Sequence, residues 1–157
     1  MSRPHIQKMS KRRRAPTDKM KEKMVTIQCG THKAENGSVR EWLDRLFAVV
    51  DSKDAAGFAD YFTEQGQFVY GSGEPIQGKQ AICNYVAGFF GTLESIQHTI
   101  FNAWAVSDNI FVELEVTYGL KDGRKFTLPA FDLFKMEGER IKTYLIYVDP
   151  SPMLGEA

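Results

Sequence analysis

The 157-residue sequence predicts an α+β domain in which three N-terminal helices pack on one face of an antiparallel sheet. Two observations predict it. Helical periodicity is confined to residues 38–93, with one short strand between helices, whereas residues 95–149 fall into four long runs that alternate apolar and polar side chains. Helices and strands sorted into separate blocks give α+β rather than α/β. At 43% hydrophobic and 25% charged, the chain has enough apolar side chains for one well-filled core.

The elements follow in order. "SVREWLDRLFAVVDSKD" reads as a helix with Ser38 as N-cap, Glu41 as its capping-box partner, and Trp42, Leu43, Leu46, Phe47, Val49 and Val50 on one face. Asp54 caps a second helix, "DAAGFADYFTE", with Phe58, Tyr61 and Phe62 on one side. "GQFVYGSG" is a short strand ending in glycine. "GKQAICNYVAGFFGTL" is a third helix whose apolar face includes Ile82, Tyr85, Val86 and Phe89.

The four strands are "SIQHTIFNAWAVSD", "NIFVELEVTYGL", "KDGRKFTLPAFDLFKM" and "ERIKTYLIYVD", separated by turn signals at Asp108-Asn109, Asp122-Gly123 and Glu137-Gly138. Side chains alternate faces along a strand. Ile96, His98, Ile100 and Trp104 therefore share one face of the first strand, and Ile110, Val112, Leu114, Val116, Tyr118 and Leu120 one face of the second. Asp132 shares its face with Phe126, Leu128, Ala130, Phe134 and Met136. Tyr144 and Ile146 are their companions on the last strand.

Charge is unevenly placed. Residues 1–35 hold ten Lys/Arg and three Asp/Glu, and the remainder holds ten and seventeen, so a basic extension precedes an acidic domain. An acidic domain argues against nucleic acid as the partner of the folded part. The extension, residues 1–36, lacks hydrophobic periodicity and is expected to be disordered. Its "KRRR" is a weak nuclear address, and the rest of the chain reads as cytoplasmic. Cys29 and Cys83 form neither a disulfide framework nor a metal-ligand spacing. No apolar run reaches the ~20 residues of a membrane-spanning helix, and the N-terminus has no apolar signal core.

Polar groups scattered over an apolar interior describe a ligand pocket better than a sealed core. Asp132, desolvated by Phe126, Leu128 and Phe134, is expected to stay protonated near neutrality and to donate a hydrogen bond to a developing enolate or phenolate. Asp51, at the end of the first helix, can hold the imidazole of His98 in one tautomer. Tyr70 can polarise a carbonyl or position a water. Each residue also has a plainer role: His98 as a hydrogen-bonded core residue, Asp51 as a helix terminator, and Tyr70, Tyr118 and Tyr144 as core aromatics.

The segments "VVDSKDAAGFADYF" and "YGLKDGRKFTLPAFDLFKMEGERIKTYLIYVDP", with these interior polar positions, resemble the SnoaL-like branch of the NTF2-like superfamily over about residues 38–152. The resemblance implies a cone, a curved sheet wrapped around the helices over a deep pocket, and a homodimer through the outer sheet face. Asp132 takes the place of the ketosteroid isomerase acid, but the isomerase base falls at Tyr70 and its helix-one tyrosine at Leu46. Epoxide hydrolases and polyketide cyclases of this fold place a carboxylate near Ile146. Scytalone dehydratase is the better match, with "VDSKD" putting its aspartate at Asp51, its tyrosine at Tyr70 and its histidine at His98. A second tyrosine is replaced by Val50, and a second histidine has no counterpart outside the extension.

The sequence thus divides into the extension 1–36, a SnoaL-like domain 37–152 and a tail 153–157. The domain reads as a cofactor-free and metal-free lyase or isomerase, of the dehydratase, isomerase or cyclase type, acting on a small apolar carbonyl or polyketide-like ligand. Asp51, Tyr70, His98 and Asp132 are its candidate catalytic residues, and Tyr85, Phe89, Tyr118, Tyr144 and Ile146 its pocket. A non-catalytic binder of an apolar ligand, or a protein-interaction domain, is the alternative.

Overall fold

The computed structural model describes residues 37–155. The basic extension, with Cys29, His5 and His32, and residues 156–157 lie outside the described residues, and so do the expectations stated for them. The elements are α1 (Gly37–Asp51), α2 (Ala55–Ala59), β1 (Phe62–Tyr70), β2 (Ile76–Gln77), α3 (Lys79–Thr92), β3 (Leu93–Val106), β4 (Asn109–Leu120), β5 (Lys125–Glu137), β6 (Arg140–Val148) and α4 (Ser151–Leu154). The six strands form one curved, unclosed sheet in the order β2-β1-β6-β5-β4-β3, the cone that the NTF2-like resemblance implies. Its concave face holds the helices, and the core lies between them.

Helix α1 buries Leu43, Leu46, Phe47 and Val50, the stripe its periodicity predicts. It begins at Gly37, so Ser38 lies inside the first turn and not at the cap. The "DSKD" segment that ends α1 does three jobs. Asp51 turns its carboxylate onto β3. Lys53 takes a left-handed backbone conformation, φ 59°, and its ammonium donates to the carbonyls of Leu93 and Glu94 at 3.1 and 3.0 Å. Asp54 caps α2, accepting the Gly57 N–H at 2.9 Å.

Helix α2 is shorter than the sequence predicts. It stops at Ala59, and Phe62 opens β1 instead of continuing the helix. Aromatic and β-branched residues such as Phe62 and Thr63 suit a strand, and a neighbouring edge captures them: Ile141 N–H donates to the Tyr61 carbonyl at 2.8 Å. That edge is β6, and β1 runs parallel to it. A purely antiparallel sheet is therefore not what forms; every other pairing is antiparallel. Between Phe62 and Gln67 the β1–β6 register slips, and Gly66 sits buried in the irregularity. A Cβ there would lie 2.9 Å from the Phe62 side chain, which is why the position carries none.

A second irregularity changes which side chains face inward. In β3, Ile100 pairs with Leu114 and Asn102 with Glu113, leaving Phe101 as an extra residue. The bulge reverses the alternation beyond it. Ala103 now faces the core opposite Val112, while Trp104 pairs with Phe111 on the outside. Trp104 thus leaves the inner face on which strict alternation placed it. The β3–β4 turn is Ser107-Asp108, one residue earlier than the sequence signal, with Ser107 left-handed at φ 52°.

At the C-terminus, α4 carries Met153 back against the core, so the packed domain extends past residue 152. No helix among the described residues is long and apolar enough to cross a membrane.

Candidate active site

One cavity of about 50 Å³ lies on the concave face, between α3 and the β1–β6–β4–β3 wall. All five predicted pocket residues, Tyr85, Phe89, Tyr118, Tyr144 and Ile146, line it, together with Tyr70 and His98. Val50, Phe58, Phe68, Val86, Phe90 and Ile96 complete the wall. These last were missed in the sequence because nothing polar marks them, although the alternation of Phe68 with Tyr70 along β1 points at two of the wall positions. Tyr85 is 44% exposed, so the cavity meets the surface beside α3.

His98 stands in the wall by geometry that α1 enforces. Its ring stacks on Phe47, with centroids 4.5 Å apart and planes inclined by 16°. Asp51 Oδ1 lies 2.6 Å from His98 Nδ1, and Asp51 Oδ2 accepts the His98 backbone N–H at 3.2 Å. An ionised carboxylate only accepts, so in the neutral ring Nδ1 carries the proton and Nε2 keeps its lone pair. Nε2 has no hydrogen-bond partner among the described residues. His98 and Asp51 also line an open groove of about 340 Å³ between α1 and β3, so the pair spans the wall from solvent to cavity.

Tyr70 and Tyr118 face each other across the cavity floor, hydroxyl to hydroxyl at 3.2 Å. Burial pushes both phenols above their ordinary range, so both stay protonated. Whichever hydroxyl donates to the other, one O–H remains to donate elsewhere.

Asp132 is not in the wall. It is 1% exposed and lies behind Tyr144, whose hydroxyl donates to Asp132 Oδ2 at 2.6 Å. Tyr144 is itself held by Phe134, stacked at 4.0 Å. The other carboxyl oxygen, Oδ1, has no partner among the described residues. Burial pushes the Asp132 carboxyl up to about 7, against the opposing pull of the Tyr144 hydrogen bond. Alternation along β5 gives the face of Asp132 correctly, but not its depth. Its direct donation to a ligand oxygen, expected from the sequence, gives way to contact through Tyr144. Among the described residues no group of three or more His, Cys, Asp and Glu comes together as a metal site requires.

The buried acid makes stability depend on pH with a defined sign. The folded state holds the Asp132 proton up to about pH 7 and the unfolded chain releases it near the ordinary ~3.9. The folded state therefore binds more protons between those values, and its stability falls as pH rises through that window. In urea titrations the wild type should lose a few kcal/mol more than Asp132→Asn between about pH 4 and about pH 8, since each pH unit inside the window costs roughly 1.4 kcal/mol. Parallel pH profiles for the two proteins would show that Asp132 is ionised and paired in the folded state.

The family model for a SnoaL-like domain matches residues 43–144. Solved structures of similar fold include a hypothetical protein with a ketosteroid isomerase-like fold from Catenulispora acidiphila, in complex with trimethylamine, at 21% identity and TM-score 0.64, covering 68% of this chain and 84% of that one. An NTF2-like protein of unknown function from Burkholderia pseudomallei aligns at 12% identity and TM-score 0.66, covering 73% and 93%. An epoxide hydrolase of the LEH-like type from M. tuberculosis aligns at 11% identity and TM-score 0.61, covering 69% and 80%. At these identities the likeness is one of fold. A search of the curated proteins found no match. The cone, its concave cavity and the matched span together place the chain in the SnoaL-like domain family, to which it belongs.

Proposed function

We propose that the protein is an acid–base enzyme of the lyase or isomerase type, acting on a small carbonyl compound. The observation that carries the reading is the Asp51–His98 pair, with the imidazole in the cavity wall and Nδ1 held at 2.6 Å. In this reading Nε2 removes a proton from the carbon next to the carbonyl. The C–H electron pair moves into the enolate, and the free O–H of the Tyr70–Tyr118 pair donates to its oxygen. Asp51 stabilises the imidazolium. In a substrate with a β,γ double bond the proton then returns at the γ-carbon, which is isomerisation, or a leaving group departs from the β-carbon and takes it, which is elimination. Because Asp51 borders the outer groove, the dyad can exchange its proton with solvent while the cavity is filled.

Cavity size narrows the substrate. At about 50 Å³ the space is well below the ~300–1,000 Å³ of pockets for drug-sized ligands, so a polyketide-sized substrate needs the α3 side chains Tyr85 and Phe89 to move aside. The same observation favours a second reading, a non-catalytic binder of a small ligand, since most of the wall is aromatic or aliphatic.

The reading includes a homodimer through the outer sheet face. Phe101, Phe131 and Tyr147 are 52%, 39% and 57% exposed there, and Phe111 packs on Phe131 at 6.3 Å. Light scattering at twice the 17.8 kDa chain mass supports it, and a monomer at high concentration refutes it.

Exchange of hydrogen for deuterium tests the chemistry without the substrate being known. Small ketones and aldehydes incubated with the protein in D₂O should lose their α-proton NMR signals faster than in buffer. His98→Ala should slow this by about 10²–10⁴-fold, as expected for a lost general base. Exchange no faster than background across the panel, or undiminished in His98→Ala, leaves the binder as the better reading.

A further inference from the structure

The acid–base chemistry has no use for a carboxyl group sealed behind the cavity wall. Asp132 is 1% exposed, one of its oxygens has no partner among the described residues, and hiding an acid without a use costs several kcal/mol. The wall in front of it is aromatic. Tyr70, Tyr118, Tyr144, Tyr85, Phe68 and Phe89 come from β1, β4, β6 and α3. The rings pack on one another at inclined angles, 44° for Tyr70 and Phe89, 74° for Phe89 and Tyr118, and 58° for Phe68 and Tyr85. Among the described residues, no lysine or arginine lines it.

We propose that the cavity selects a small organic cation, an ammonium group carrying methyl or other short alkyl substituents, with the Tyr144–Asp132 pair supplying the counter-charge. An aromatic enclosure attracts such a group through the negative faces of its rings, most strongly where water is excluded. A neutral apolar ligand would leave the Asp132 oxygen without purpose, and an anion would be repelled once the carboxyl ionises. A cation alone gains from both the rings and the acid. Tyr144 lines the cavity and donates its hydroxyl to Asp132 at 2.6 Å, so the acid lies one side chain behind the wall, in a layer where its charge is little screened. A methyl-bearing head group also agrees with a cavity of about 50 Å³.

Asp132 is poised to respond. Its carboxyl sits at about 7, and a nearby cation favours the ionised form, so binding should release a proton near neutrality. The other groups that feel its charge are Tyr144 on β6, Tyr118 on β4 and Tyr70 on β1, all phenols held neutral by burial. From β3 and α1 come His98 and Asp51, already paired with each other. When its ring is neutral His98 leaves the cation unopposed, and the same form is the one a base requires.

The inference shares its cavity with the acid–base reading but does not depend on His98 removing a proton. Choline and its uncharged isostere 3,3-dimethylbutan-1-ol separate the two, because they match in shape and differ in charge. By calorimetry or NMR titration, choline should bind roughly tenfold or more tightly than the alcohol at about pH 8. The preference should shrink towards about pH 6, where Asp132 keeps its proton. Asp132→Asn should reduce the preference to the few-fold share of the rings and remove its pH dependence. Equal binding of the two probes, tighter binding of the alcohol, or binding of neither overturns the proposal. So does a choline preference that neither pH nor Asp132→Asn alters. Should the variant fail to fold, the pH comparison on His98→Ala, whose wall no longer holds an imidazole able to gain charge, decides instead. Failure here leaves deuterium exchange of ketones standing, and failure of that exchange leaves the cation preference standing.

Discussion

Asp51 accepts two hydrogen bonds from a single residue of the opposite strand, one from the His98 ring and one from its backbone N–H. The contact fixes where the last turn of α1 sits above the sheet. Lys53 reinforces it two residues later by bonding the carbonyls at the start of β3, and Asp54 immediately begins α2. The helix can then bury Leu43, Leu46 and Phe47 against the concave face. Beside it, between α3 and the sheet, lies the cavity, whose wall α1 reaches through Val50. A hydrogen bond to an ionised group is worth about twice a neutral one, but its directionality matters more here. It sets the ring of His98 in a plane nearly parallel to Phe47 and aims the second nitrogen away from Asp51.

The second constraint is dielectric. Asp132 lies in a layer that includes Val112, Phe134 and Tyr144, none more than 2% exposed. In such surroundings a carboxylate is expensive, and the single hydroxyl of Tyr144 offsets only part of that cost. The acid therefore balances between its charged and neutral forms near neutrality, while the phenols around it remain neutral. A ligand that touches Tyr144 meets a group whose charge it can change. In the proposed chemistry the same desolvation would strengthen the Tyr70–Tyr118 donor towards a developing charge on a ligand oxygen.

Much of this is legible in the sequence, for local reasons. Period-two alternation in β4 and β5 puts Tyr118 and Asp132 on the inner face, and the resemblance of "VDSKD" to scytalone dehydratase, with an inward histidine on β3, suggests the Asp51–His98 pair. What escapes depends on distant partners. The parallel pairing of β1 with β6 joins residues far apart in the chain, as in Phe68 with Tyr144, and no local signal announces it. It also converts the end of the expected second helix into strand. The bulge at Phe101 turns Trp104 outward, and a bulge in an aromatic-rich strand leaves no glycine or proline to mark it. The depth of Asp132 escapes for a simpler reason: alternation assigns a face, whereas Tyr144, on another strand, decides whether that face meets the cavity.

The central claim is that the Asp51–His98 pair presents a basic nitrogen to an aromatic cavity. The tautomer of His98 tests it most directly, by ¹⁵N-detected two-bond couplings recorded where the ring is neutral. The account requires the proton on Nδ1 and an unprotonated Nε2, with Asp51→Asn shifting the ring towards the other tautomer because an amide can donate to Nδ1. A neutral His98 carrying its proton on Nε2 in the wild type would contradict the account, since that nitrogen would then be a donor and not a base.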